Sequence, residues 1–186
     1  MKGVIVMVET GIKELDNILK PYPVVEIEGD WSNHIVELAS MLIRIARKKN
    51  LKIMFFDNRK FPGTREIFHS LEPVIIDFDI PVFVADDLNV LATQLLLFKK
   101  SSNSTLLLVL PYRRDLFSQI ENTHLPKLKY ALHVASKKGW EILIINPVVS
   151  EYTPLNYYIA DITLRIDFEK EKILVSVLNK LAITTI

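Results

Sequence analysis

No cysteine occurs among the 186 residues, which excludes disulfides, cysteine-ligated zinc and a thiol nucleophile. Neither sign of charge dominates. Lys and Arg number 23 against 22 Asp and Glu, a formal net charge of +1, so a nucleic acid would need a local cluster of cations. Long apolar runs are missing as well. A stretch such as Leu106 to Leu110 falls far short of the roughly 18 residues that span a bilayer, and no charged leader with a small-residue cleavage site follows Met1. The expectation is a soluble, cytoplasmic protein. The four histidines, His34, His69, His124 and His133, show no metal-ligand spacing and read as structural or surface residues. Only two glutamines stand beside many Ile, Lys and Glu, a composition that fits a heat-adapted source.

What is present is an ordinary globular mixture, 49% hydrophobic and 24% charged, in a length that suits one domain. No internal repeat, low-complexity tract or linker interrupts it, so residues 1–186 read as a single unit. Short apolar runs alternate with stretches of helical period. Val24 to Ile27 reads as a strand and Asn33 to Lys49 as a helix, with Ile35, Leu38, Ala39, Leu42, Ile45 and Ala46 on one face. Lys52 to Phe56 is a second strand, followed by a short helix over Thr64 to Ser70. Val82 to Val84 and Leu88 to Lys99 form the next strand and helix. Thr105 to Leu110 is a wholly apolar strand, Leu125 to Lys138 a helix and Glu141 to Ile145 another apolar strand. Ile159 to Phe168 and Lys172 to Leu178 close the chain as two strands joined by the turn Glu169-Lys170-Glu171.

Apolar strands that alternate with helices predict an α/β fold: a mostly parallel sheet, helices on both faces and a C-terminal antiparallel hairpin. Ligands of such folds sit at the carboxyl ends of the strands. That directs attention to the loops near 29–36, 57–63, 111–124 and 146–158.

A strand, a glycine and a helix at Val24 to Val36 occupy the place of a phosphate-binding loop. Such a loop needs two glycines, a lysine and a hydroxyl at fixed spacing, to wrap phosphates with backbone N–H groups, neutralise them and hold magnesium. Here Gly29 is kept, but His34 stands at the second glycine, Ile35 at the lysine and Val36 at the hydroxyl. Asp30 adds repulsion toward a phosphate. Asp30, Ser32 and Asn33 are all good N-cap residues, so the helix can satisfy its first amides itself.

The segment Thr10-Gly11-Ile12-Lys13-Glu14-Leu15-Asp16-Asn17-Ile18-Leu19, followed by a strand and the Gly29 loop, resembles the start of a RecA/RadA-type recombinase ATPase core. The likeness continues in register to about residue 180. Ile53 to Asp57 with Phe61-Pro62-Gly63-Thr64-Arg65-Glu66-Ile67 resembles the next strand and helix start of that family. Asp57 is kept, but Arg59 stands at the water-activating glutamate. Leu106 to Val109 resembles the Walker B strand, with Leu110 and Pro111 at its aspartate and serine. Lys127 to Val148 resembles the stretch that ends in the family's γ-phosphate sensor, whose glutamine is replaced in Asn146-Pro147-Val148. The resemblance therefore implies a RecA-like core whose catalytic parts are absent together. Phosphoryl transfer is almost entirely positioning and charge stabilisation, so neither ATP hydrolysis nor tight nucleotide binding is expected, and no cofactor is implied. A rival reading has an unusual nucleotide site built on Arg59 or Lys60.

In the resembled family two loops at the strand ends line single-stranded DNA. The first corresponds to Pro111 to Phe117 and sets Arg113 and Arg114 between Tyr112 and Phe117, the combination of stacking rings and guanidiniums that single-strand binding uses. The plainer reading, which is preferred, has Arg113 and Arg114 as solvated loop residues and Phe117 starting a helix against the core. The second, Val148 to Asn156, carries only Glu151 as a charge and suits DNA poorly. Arg44 to Lys49 is a basic run at a helix C-terminus, where the macrodipole favours cations without any ligand. Asp77, Asp79, Asp86 and Asp87 read as loop and cap residues, not as a metal site. The apolar run Val4 to Val8 needs cover from this chain or a partner. Trp31, His34 and Ile35 would give the former nucleotide face an apolar character suited to a protein interface. The expectation that follows is a non-catalytic paralogue, a structural or mediator subunit in homologous recombination and DNA repair. Its partner would be a recombinase, another RecA-family paralogue, a zinc-binding helper protein or a second copy of itself. The alternative from another class is a stand-alone single-stranded DNA binder.

Overall fold

Val25, Ile27, Ile53, Phe55, Leu107, Val109, Leu143 and Ile145 point to one side of a sheet, and Met54, Phe56, Leu106, Leu108, Ile142 and Ile144 to the other. Alternate side chains of each strand are thus buried on opposite faces, which is why these runs lack polar alternation. The computed structural model describes residues 13–30, 33–46, 50–57, 64–101, 104–110, 124–148, 159–169 and 172–180. Its elements run α1 (Lys13–Leu19), β1 (Val24–Asp30), α2 (Asn33–Ala46), β2 (Asn50–Phe56), α3 (Thr64–Asp77), β3 (Val82–Ala85), α4 (Leu88–Leu96), β4 (Ser104–Val109), α5 (His124–Lys137), β5 (Trp140–Val148), β6 (Ile162–Glu169) and β7 (Lys172–Lys180).

The seven strands lie in the order β3-β2-β4-β5-β1-β6-β7. Every pairing is parallel except the last, β6 with β7. The expected α/β class, the mostly parallel sheet and the closing antiparallel pair are therefore present. Helices cover both faces: α1, α2 and α3 pack on the Val25/Ile27 side, α4 and α5 on the Ile142/Ile144 side. Among the described residues, no helix is long and apolar enough to cross a membrane.

Local differences from expectation have physical causes. On α2 the buried stripe is Leu38, Ala39, Leu42, Ile43 and Ala46; Ile43 is fully buried where Ile45 was expected, and Ile45 is only half-buried. Helix α3 continues to Asp77, seven residues past the expected end at Ser70, through Pro73. A mid-helix proline costs ~3 kcal/mol, but burial of Leu71, Val74 and Ile75 against the sheet contributes ~1.5–3 kcal/mol for each full side chain. The helix then ends in a Schellman motif. Ile80 N–H donates to Ile75 O at 3.2 Å and Asp79 N–H to Ile76 O at 3.1 Å. Asp79 takes the left-handed C′ position at φ 48°. The β6 ladder begins at Ile162 and not at Ile159, because Ile159 and Ala160 are buried beside α5.

Candidate functional site

The chain leaves β1 onto one face as α2 and leaves β4 onto the other as α5. This reversal lies at the carboxyl ends of β1, β5 and β4, the edge at which open α/β sheets bind ligands. Gly29 is buried there, in register with Pro147 of β5. His34 and Ile35 fall in the first turn of α2, and their side chains lie outside the described residues. Val36 is half-buried and packs against the core. Trp31, Ser32, Arg59, Lys60 and the candidate DNA contacts Tyr112, Arg113, Arg114 and Phe117 also lie outside the described residues, as does the apolar run Val4 to Val8.

At the end of β4, Leu110 stands where the resemblance puts the Walker B aspartate. It is 0% exposed. Its N–H donates to Ile145 O at 2.9 Å, and its side chain belongs to the apolar cluster shared with α4 and α5. Asp57 follows β2 on the same edge and is half-buried, its N–H donating to Ala85 O at 2.8 Å.

Beneath this edge the sheet carries a polar group of residues that pattern reasoning on single strands did not single out. Glu26 of β1 is 0% exposed. Its two carboxyl oxygens accept from Asn146 Nδ2 of β5 at 3.1 Å and from Thr163 Oγ1 of β6 at 3.2 Å. Asn146 and Thr163 are themselves fully buried. One pleat further on, Glu28 is also buried and lies in register with Asn146 on one side and Arg165 on the other. Arg165 Nε donates to the Asp167 carboxylate at 3.0 and 3.3 Å. The signal available in the sequence was a pair of acids two residues apart inside an apolar strand. The partners sit 120 and 137 residues away, so only the strand order brings them together. Chemically this is a register lock: both Glu26 oxygens are engaged, and a carboxyl group so held fixes β1 between its two neighbours.

A second polar chain links the N-termini of α4 and α5 at the same edge. Asp87 caps α4, its side chain accepting from Asn89 N–H at 2.6 Å. Asn89 Nδ2 lies 3.0 Å from His124 Nε2, and Lys127 Nζ donates to Asn89 Oδ1 at 3.2 Å. These contacts give Asp87 its expected cap role and tie His124 between helices. Among the described residues, no group of three or more His, Cys, Asp or Glu is placed to hold a metal ion. Arg44, in the basic run ending α2, lies over the Phe78 ring at 6.0 Å, a structural use of that cation.

At the opposite, amino edge Asp161 fixes the entry to β1. Its carboxylate accepts from Val24 N–H at 3.0 Å while its own N–H donates to Val24 O at 2.9 Å. Burial pushes its pKa above the ordinary value, against the opposing pull of the Val24 N–H and of the charges on His133 and Lys129. No protein-family model matches this chain, and no curated protein sequence matches it either.

Proposed function

We propose that this chain is a non-catalytic RecA/RadA-like core that acts as a structural or mediator subunit in homologous recombination and repair, working through protein contacts and not through ATP turnover. The observation that carries the reading is Leu110. The strand end that would present a magnesium-holding carboxylate presents instead a fully buried leucine packed into the core. A metal-bound triphosphate needs that carboxylate, a hydroxyl and a lysine together, and the sequence has Leu110, Val36 and Ile35 at the three positions. The adjacency of β4, β5 and β1 in the sheet supports a descent from a nucleotide-binding architecture. The register lock of Glu26, Asn146 and Thr163 supports a rigid scaffold in that place, since its polar groups are engaged within the protein.

The test is a direct binding measurement between the purified chain and the RecA-family recombinase of the same source, with ATP turnover of each partner recorded alone and together. The reading expects a saturable complex and no turnover by this chain alone. Turnover by this chain, or no complex with that recombinase or with any RecA-family paralogue of the source, overturns it.

A further inference from the structure

Strand β7 ends the sheet, and among the described residues it pairs with β6 on one side only. An open edge of this kind presents a row of unpaired N–H and C=O groups, and natural proteins keep such edges short or charged in the middle. This one is neither. It runs nine residues, whereas the opposite edge strand, β3, has four. Its centre is apolar on both faces: Leu174 is 42% exposed, Val175 41% and Val177 51%. Other exposed apolar side chains, such as Ile76 of α3, Tyr130 of α5 and Val84 of β3, stand singly and need no partner.

The order of residues says what fits this edge. Leu174-Val175-Ser176-Val177-Leu178 reads the same in both directions. An antiparallel strand of the same sequence, turned about a two-fold axis at Ser176, sets Val175 against Val177 of the partner subunit and Leu174 against Leu178 of the partner subunit. A two-fold interface repeats each contact, i with j and j with i, and here each repeated contact sets one apolar side chain against another. Two cross-strand valine pairs gather on one face, with Ser176 on the axis between them. We propose that β7 is the self-pairing edge of a symmetric homodimer, in which a second copy of this chain continues the sheet across Ser176. This stands apart from the functional reading above and does not depend on it.

The geometry also limits the contact. The register of β6 with β7 skips Leu178, a bulge that bends the strand there, so the pairing is short and centred on Val175, Ser176 and Val177.

The absence of cysteine makes the test specific to position. Directly opposed residues of an antiparallel pair have Cα atoms about 4.5–5.5 Å apart, inside the span of about 4.4–6.8 Å that a disulfide bridges. Ser176→Cys in the full chain, oxidised under native conditions, is expected to run as a covalent dimer, while Val90→Cys on α4 stays monomeric. Sedimentation equilibrium supplies the second arm. The wild type is expected to be a dimer. Val175→Glu with Val177→Glu sets like charges across the axis and yields a monomer. Val175→Glu with Val177→Lys sets opposite charges there and restores the dimer. A monomeric wild type, or a dimer that persists in the doubly acidic variant with native circular dichroism, overturns the proposal. Where that variant fails to fold, the cysteine arm decides: cross-linking of Ser176→Cys no faster than that of Val90→Cys overturns it too.

Discussion

Replacing Glu26 by alanine removes, in one step, the acceptor of two fully buried donors on two different strands. Asn146 Nδ2 and Thr163 Oγ1 each lose a hydrogen bond of 3.1 and 3.2 Å respectively. A buried group deprived of its partner costs ~1–3 kcal/mol, so the two together cost ~2–6 kcal/mol. Truncation also leaves a small cavity in the sheet, while loss of a buried acidic group gives back part of its desolvation. The net expectation is about 3 kcal/mol of lost stability, which at a urea slope of about 2 kcal/mol/M lowers the midpoint by about 1.5 M. Glu26→Gln behaves differently. Its carbonyl oxygen keeps the bond from Asn146, and its amide donates to the Thr163 hydroxyl, which turns to accept. It should stay within about 1 kcal/mol of the wild type. Equilibrium urea unfolding followed by circular dichroism reads both variants. An alanine variant within about 1 kcal/mol of the wild type, or a glutamine variant as weak as the alanine one, refutes the register lock.

Three further substitutions test local claims. Gly139 holds φ +91° in the turn into β5, and a Cβ there would run into the Ser101 carbonyl oxygen, so Gly139→Ala should cost ~2 kcal/mol or more in thermal or urea unfolding. Asp79→Gly relieves a left-handed C′ position and should raise stability by ~0.5–1 kcal/mol, or ~1–4 °C in Tm; an unchanged or lower Tm argues against strain there. For Asp161 the folded pKa is raised, so the folded state takes up its proton before the unfolded state does. Its contribution is least favourable at neutral pH and improves as the pH falls through the folded value toward the ordinary carboxylate range near about 4. Asp161→Asn removes that titration. Urea midpoints from neutral pH downward should show the wild type gaining on the variant as acid is added, and parallel curves would contradict the assignment.

Much of the fold could be read from single stretches of sequence. Leu106 to Leu110 and Glu141 to Ile145 are apolar because both sheet faces are covered, and the α2 stripe shows its period directly. Where local pattern and long-range packing disagreed, packing won. Pro73 argues for a helix end, yet α3 passes through it because Leu71, Val74 and Ile75 reach the sheet only if the helix continues. Ile159 is apolar enough for a strand but is buried beside α5, outside the ladder. The carboxyl edge was legible in outline, since strand–helix alternation fixes which ends of the strands carry loops. The buried polar group beneath it was not. Glu26 and Glu28 interrupt an apolar strand, and only the placement of β1 between β5 and β6 gives them Asn146, Thr163 and Arg165 as neighbours.

The central claim is that the carboxyl edge beside Gly29 binds no nucleotide. Isothermal titration of the full chain with ATP and magnesium measures this directly. The account predicts no saturable heat up to about 1 mM ligand. A stoichiometric isotherm with a dissociation constant in the micromolar range, about 1–10 μM, would contradict it.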